Sequence, residues 1–195
     1  MIFALAHNNE CDYDENVYKA VVVRRGRHIS KYLKRGVPVL YSDVDVVFQH
    51  DPLPYFNDAG CDVWAQMDGS DYICTGFMYF KATPDTTRLC LDWTASLLRK
   101  WGWNQPRFNQ IMRARRDVHF CPLDSVLFPS GQRFFGETPN GQPIQDGLTP
   151  TQRQHSRVVH NNFIGGHDAK TTVRGSGVMV ARGDARGRVE RARER

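Results

Sequence analysis

Two aspartates separated by one residue, Asp43 and Asp45, follow an apolar stretch and are the side chains best placed to do chemistry. The stretch Val37–Tyr41 is typical of a strand buried on both faces of a parallel sheet. Because extended residues alternate sides, the two carboxylates should point the same way. Ligands of open α/β sheets gather at the carboxyl ends of strands, and paired carboxylate oxygens suit Mg²⁺ or Mn²⁺. We therefore expect a divalent-cation site where this strand ends.

A purely structural role is the more common fate of two aspartates in this pattern, since they often only end a strand and cap a turn. Here the pair is followed by Val46, Val47 and Phe48 rather than by a helix or a glycine turn. Carboxylates inside a hydrophobic segment cost free energy unless a cation or several hydrogen-bond donors meet them. The context therefore favours the metal site.

A second candidate loop lies in the last ordered part of the predicted fold. An apolar run reaches His160, and Gly165-Gly166 and Lys170 follow. An imidazole, a glycine pair and a lysine in this order indicate a loop that could bind a metal and a phosphate. A single histidine is more often structural, so that alternative stays open.

The elements around these residues follow from periodicity and caps. A strand over Ile2–Ala6 and a helix over Glu15–Lys34, ended by Gly36, lead into the Asp43 strand as a β-α-β unit. Thr83-Pro84 starts a second helix, in which apolar residues recur at intervals of four up to Trp101. The remaining predictions are strands over Cys61–Met67, Ile73–Phe80 and Val118–Cys121, a short helix after Trp103 through Arg113, and a long irregular segment over Gln132–Ser156 that is mobile or folds over a ligand.

Length and composition predict one globular domain over residues 1–172 and a basic, disordered tail over residues 173–195. The chain has 195 residues, 41% hydrophobic and 24% charged, and a net charge of +5. Residues 181–195 contribute +3 of that charge, which argues against a nucleic-acid partner because the body is nearly neutral. No stretch approaches the roughly 20 apolar residues of a membrane span, so we expect no membrane segment. Five cysteines without C-x-x-C spacing make a zinc site unexpected and leave the redox compartment open.

Together these stretches resemble the nucleotide-diphospho-sugar transferases of the GT-A fold, and glycosyltransferase family 77 most closely. The resemblance covers roughly residues 15–172, and its parts occur in the family's order. The matching stretches are Leu40–Val47 with Asp51–Pro54, Thr75–Phe80, Asn104-Gln105 with Phe108-Asn109, Phe128–Gly131, and His160 through Lys170. The fold that this implies is α/β, a Rossmann-like, mixed and mostly parallel sheet flanked by helices.

The resemblance also implies an activity and a set of site residues. A sugar would move from a nucleoside-diphosphate sugar, in particular a UDP-sugar, to a glycan or glycoprotein acceptor, with retention of anomeric configuration, in the Golgi lumen. Asp43, Asp45 and His160 would hold Mn²⁺ or Mg²⁺ on the donor's diphosphate, and Lys170 would meet the β-phosphate. The other implied contacts are Gly76 and Gly165 near the donor, and Asn104 and Gln105 at the acceptor or anomeric face. Asn104 stands where the family commonly has an aspartate, which weakens the case for a carboxylate base there.

The amino-terminal region is short, and two other functions remain open for this sequence. Only 42 residues precede Asp43, which is room for one β-α unit where GT-A domains usually have a strand, a helix and a second strand. Three explanations stay open: a truncated gene model, a lost first strand, or Ile2–Ala6 as a shortened substitute. A missing nucleotide-base pocket would weaken donor binding. A haloacid-dehalogenase-like phosphatase also opens with an apolar strand and D-x-D, and there Asp43 would be the nucleophile. The third possibility is a truncated binding or scaffold domain without activity.

Overall fold

The computed structural model describes residues 2–4, 15–100, 102–138 and 141–162, with side chains from residue 20 onward. Contacts within the chain define two compact units. Unit 1 comprises Met1–Val44 and Phe56–Leu123, and unit 2 comprises Asp45–Tyr55 and Asp124–Arg195. A single domain over residues 1–172 stays a prediction, and the predicted tail over residues 173–195 lies outside the described residues.

The helices and strands occur in a mixed order along the chain. The strands are β1 (Ile2–Ala4), β2 (Val39–Ser42), β3 (Val46–Phe48), β4 (Val63–Met67), β5 (Ile73–Phe80), β6 (Phe120–Pro122) and β7 (Val158–His160). The helices are α1 (Glu15–Leu33), α2 (Pro84–Arg99), α3 (Asn104–Ala114), α4 (Gly131–Phe135) and α5 (Pro150–His155), with a 3₁₀ turn over Leu53–Tyr55.

Unit 1 is built on a five-stranded sheet in the order β1-β2-β5-β4-β6. The β1–β2 and β4–β6 pairs are parallel, and the β2–β5 and β5–β4 pairs are antiparallel. This is the mixed α/β sheet that the resemblance implies, with two parallel and two antiparallel pairs rather than a parallel majority, and β1, α1 and β2 form the expected β-α-β unit. The residues of β2 are all buried although only one of its two neighbours is parallel, so the apolar run reflects burial on both faces rather than pairing direction.

The start of α2 follows its sequence signature. Thr83 and Thr86 form a reciprocal capping box, and Pro84 occupies the first helical turn. Trp93 of α2 and Phe108 of α3 are packing residues: both are fully buried, and their rings meet edge to face with centroids 4.8 Å apart. This contact fixes α3 against α2, and α3 carries Asn104 and Gln105.

A disulfide joins Cys61, just before β4, to Cys121 in β6. The bond therefore ties the edge strand β6 to its parallel neighbour.

Cys90 of α2 is fully buried, and burial raises the pKa of its thiol well above the ordinary range.

Unit 2 contains the two-stranded antiparallel ribbon of β3 and β7. The prediction of an irregular segment over residues 132–156 is wrong in part, because α4 and α5 lie at either end of it. Ser130 and Thr149 cap these helices, and Gly136 ends α4 in the left-handed region at φ 75°. Phe134, Leu148 and Val159 form the small core beneath them. Helices of five and six residues are too short to show an amphipathic period.

In the part of the chain that the structure describes, no helix has the length and apolar character needed to cross a membrane.

Candidate active site

Asp43 lies at the carboxyl end of β2, where the strand still pairs with β5. Its backbone N–H donates to the Gly76 carbonyl at 2.7 Å, which continues the β2–β5 ladder by one residue. Two donors meet its side chain: the Tyr41 hydroxyl at 2.6 Å and Arg25 Nη2 at 3.0 Å, both on Oδ1. The carboxylate is therefore held in one orientation, as a metal ligand requires.

Arg25 of α1 is a site residue that the sequence reasoning did not identify. It is only 8% exposed, and its guanidinium lies over the Tyr41 ring, 4.4 Å from the centroid. Its Nη1 donates to the Thr75 carbonyl at 3.1 Å. The sequence does contain a signal for this residue, because Arg25 falls between Val22 and Ile29 on the apolar stripe of α1. An arginine buried at such a position needs an anionic partner.

Asn104 and Gln105, at the start of α3, both contact Thr75 of β5. Asn104 Nδ2 donates to Thr75 Oγ1 at 3.3 Å, and Gln105 Oε1 accepts from the Thr75 N–H at 3.1 Å. The other end of the Gln105 amide donates to Asp68 Oδ2 at 2.8 Å. Since Arg25 also binds Thr75, the structure joins the predicted residues Asn104 and Gln105 to Asp43 through one hydrogen-bond network.

Asp45 and His160 meet in unit 2 because of the register of the β3–β7 ribbon. Val46 lies opposite His160, so Asp45, one residue earlier, lies beside the end of β7. The distance from His160 Nε2 to Asp45 Oδ1 is 3.4 Å, and His160 is 3% exposed. Two residues separated by more than 100 positions in the sequence are thus brought within reach of one ligand.

Backbone contacts on both sides hold this pair in place. The Asn161 N–H donates to the Asp45 carbonyl at 2.8 Å, and the His160 N–H donates to the Pro129 carbonyl at 3.1 Å. The segment Phe128–Gly131, one of the predicted motif stretches, thereby supports His160. The two other predicted donor contacts, Gly165 and Lys170, lie outside the described residues.

The family follows from a comparison with known proteins. The sequence profile described as nucleotide-diphospho-sugar transferase matches residues 3–173, most of the chain. The chain belongs to this family.

Curated relatives of this chain include glycosyltransferases that are named for UDP-sugar donors. It is 26% identical over 201 residues to the UDP-galactose:fucoside alpha-3-galactosyltransferase of Dictyostelium discoideum, a match covering 84% of this chain and 29% of that protein. It is 27% identical over 176 residues to the UDP-D-xylose:L-fucose alpha-1,3-D-xylosyltransferase of Arabidopsis thaliana, covering 75% of this chain and 45% of that protein. The chain thus spans less than half the length of these relatives.

Solved structures support the fold. A glycosyltransferase involved in the glycosylation of the major capsid of PBCV-1 matches with a TM-score of 0.53 at 13% identity, covering 87% of this chain and 81% of that one. The WbbM bifunctional glycosyltransferase matches with a TM-score of 0.50 at 11% identity, covering 80% of this chain and 33% of that one. The chain therefore has the mixed α/β fold of GT-A glycosyltransferases.

Proposed function

We propose that this transferase is a metal-dependent glycosyltransferase that moves a sugar from a UDP-sugar to a glycan or glycoprotein acceptor. Family membership supports the reaction class, and the names of the relatives support UDP as the nucleotide. Membership also favours sugar transfer over the phosphatase alternative, since it accounts for the stretches beyond D-x-D as well.

The proposed cation ligands are Asp43, Asp45 and His160. The observation that carries this proposal is the 3.4 Å approach of His160 Nε2 to Asp45 Oδ1. Asp43 is two residues before Asp45, so the covalent chain keeps their Cα atoms within about 7 Å of each other. Two carboxylates and one imidazole are a donor set that fits Mn²⁺, and Mg²⁺ less well because it prefers oxygen alone.

A bound cation would supply charge stabilisation for the departing diphosphate, which is the main chemical demand of sugar transfer. The residues of the chain would hold the cation and the donor in place. Asp43 is oriented by Tyr41 and Arg25, and Asp45 lies against His160. We assign Lys170 and Gly165 to the donor's phosphates, since a lysine among glycine N–H groups suits that charge.

Asn104 and Gln105 are proposed to face the acceptor or the anomeric carbon, with Gly76 near the donor sugar. Asn104 has no carboxylate to offer, and both ends of the Gln105 amide already bind Thr75 and Asp68. This supports a positioning role for Gln105 rather than proton transfer. It fits a reaction in which the leaving group needs a cation but no protein acid.

We infer that the protein works in the Golgi lumen or a similar oxidising compartment. The Cys61–Cys121 disulfide supports this compartment, because structural disulfides persist in the secretory pathway and are rare in the cytosol.

The test is UDP binding to the purified chain by calorimetry, with and without Mn²⁺. We expect Mn²⁺ to strengthen UDP binding in the wild type and EDTA to reverse this effect. Asp45→Asn should abolish the effect of Mn²⁺, and His160→Ala should reduce it by about one to two orders of magnitude, since each removes a ligand or its support. Asp71→Asn removes an exposed carboxylate elsewhere and is the matched control.

Wild-type behaviour in Asp45→Asn and His160→Ala, with both variants folded by circular dichroism, would contradict the ligand assignment. Absence of UDP binding at millimolar concentration in the wild type would favour the scaffold alternative instead. If the wild type does bind UDP, a second assay identifies the donor and the acceptor. It measures release of UDP from UDP-xylose or UDP-galactose when a fucoside is added, since the relatives are named for these substrates.

A further inference from the structure

Arg25 places a permanent positive charge against one of the two aspartates of the proposed cation site. We propose that Arg25 is a specificity-determining residue: it neutralises Asp43, so that the site discriminates against the bare cation and accepts it together with a nucleoside diphosphate. This inference rests on the proposed function and concerns the order in which its ligands bind.

The guanidinium is fixed by its surroundings and cannot simply swing away. Its Nη2 donates to Asp43 Oδ1 at 3.0 Å, and its Nη1 donates to the Thr75 carbonyl at 3.1 Å. The Tyr41 ring lies 4.4 Å beneath it, and the side chain is 9% exposed. An arginine with this burial keeps its charge, because the guanidinium stays protonated in proteins.

The position of the contacts on Asp43 also matters. Tyr41 and Arg25 both donate to Oδ1, so the second oxygen, Oδ2, is the one left to face a cation. The carboxylate is therefore oriented, and its charge is already compensated by Arg25 before any metal arrives.

Electrostatics gives the direction of the effect. Like charges a few ångströms apart repel each other strongly in the reduced dielectric of a partly buried site, so a fixed guanidinium opposes the binding of a nearby divalent cation. Free UDP, the ligand used in the test below, carries more negative charge than the cation carries positive charge. The metal complex is therefore net negative, and the same guanidinium attracts it.

The experiment compares Mn²⁺ alone with Mn²⁺ plus UDP in the full chain. Calorimetry gives the Kd of Mn²⁺ without nucleotide, and the ratio of UDP Kd values without and with Mn²⁺ gives the coupling. In Arg25→Met we expect bare Mn²⁺ to bind about tenfold more tightly and the coupling to fall about tenfold, each about 1.4 kcal/mol. Arg25→Lys keeps the charge and should preserve most of the coupling. Arg24→Met, an exposed arginine one position away, is the control and should match the wild type.

Unchanged or weaker binding of bare Mn²⁺ in folded Arg25→Met would overturn the proposal and leave Arg25 a structural residue. If Arg25→Met does not fold, Arg25→Gln removes the charge while keeping a hydrogen-bond donor, and the same expectation applies to it. A wild type that binds no Mn²⁺ with or without UDP would instead reject the proposed function itself. The two failures are thus distinguishable.

Discussion

At the scale of single residues, unit 1 stabilises its polar side chains by binding them to one another and to the ends of strands. Asn109 is the clearest case, since it is 2% exposed and all of its amide is used. Its Oδ1 accepts from the Ile73 N–H at 2.7 Å, and its Nδ2 donates to the Ile73 carbonyl at 2.8 Å. The side chain thereby acts as one more residue of a β-ladder, joining α3 to the start of β5.

Replacing Asn109 by alanine should destabilise the protein by about 2–4 kcal/mol, because it leaves a buried N–H and a buried carbonyl of Ile73 without partners. Urea unfolding followed by circular dichroism measures this free energy. Gln110→Ala, at the next and exposed position of α3, is the control and should change stability little. A loss below about 0.5 kcal/mol in Asn109→Ala would mean that water replaces the amide.

The sequence identifies site residues where a local pattern marks them, and it misses residues that come together only through the fold. Asp43 and Asp45 stand out because two carboxylates interrupt an apolar run. Arg25 was missed because an arginine on a helix is normally solvent-exposed, and its position on the apolar stripe of α1 was the one sequence signal of its burial against Asp43. The Asp45–His160 approach was predicted from the family resemblance, since no local pattern links the two residues.

At the scale of elements, helices with caps and a clear period were predicted well, as α1 and α2 illustrate. The predicted bounds of β5 are confirmed, and those of α1 differ by one residue. The irregular stretch over residues 132–156 shows the opposite case, because its helices depend on Ser130 and Thr149 caps rather than on periodicity. Tertiary packing, which a single sequence does not display, decides such short elements.

The packing of α1 on α2 explains a glycine in the middle of a helix. A Cβ at Gly26 would lie 2.5 Å from the Cys90 carbonyl oxygen and 2.7 Å from Thr94 Oγ1, so only a hydrogen fits there. Glycine costs about 1 kcal/mol of helix propensity relative to alanine, and close packing of the two helices offsets that cost.

We therefore expect Gly26→Ala to lower the free energy of unfolding by about 1–2 kcal/mol, despite the better helix propensity of alanine, because overpacking against backbone outweighs it. Thermal and urea unfolding measure the change. Arg27→Ala, an exposed neighbour on α1, should be nearly neutral. A stabilised Gly26→Ala would show that the helices can separate at no cost.

Since Arg25 adjoins this contact, Gly26→Ala should also reduce Mn²⁺-coupled UDP binding.

At the scale of the whole molecule, the chain holds the family's characteristic stretches within two compact units. Asp43 belongs to unit 1, and Asp45 and His160 belong to unit 2, with the chain crossing from one to the other at Val44–Asp45. The matched region covers less than half the length of the curated relatives. The activities of those whole proteins therefore have to be measured on this chain.

The Cys61–Cys121 disulfide makes the global stability of this molecule depend on redox state. It closes a segment with a sequence separation of 60 residues, which includes β4, β5, α2 and α3 and hence most of the unit 1 core. Constraining the unfolded chain over such a loop contributes about 2–4 kcal/mol. Reduction of the wild type, or Cys61→Ala with Cys121→Ala, should lower the free energy of unfolding by that amount in urea titrations. The double variant serves as the control for the reductant, because dithiothreitol should not change its stability further. If the oxidised and reduced wild type unfold at the same urea concentration, the bond does not form in solution, and the inference of an oxidising compartment loses its support.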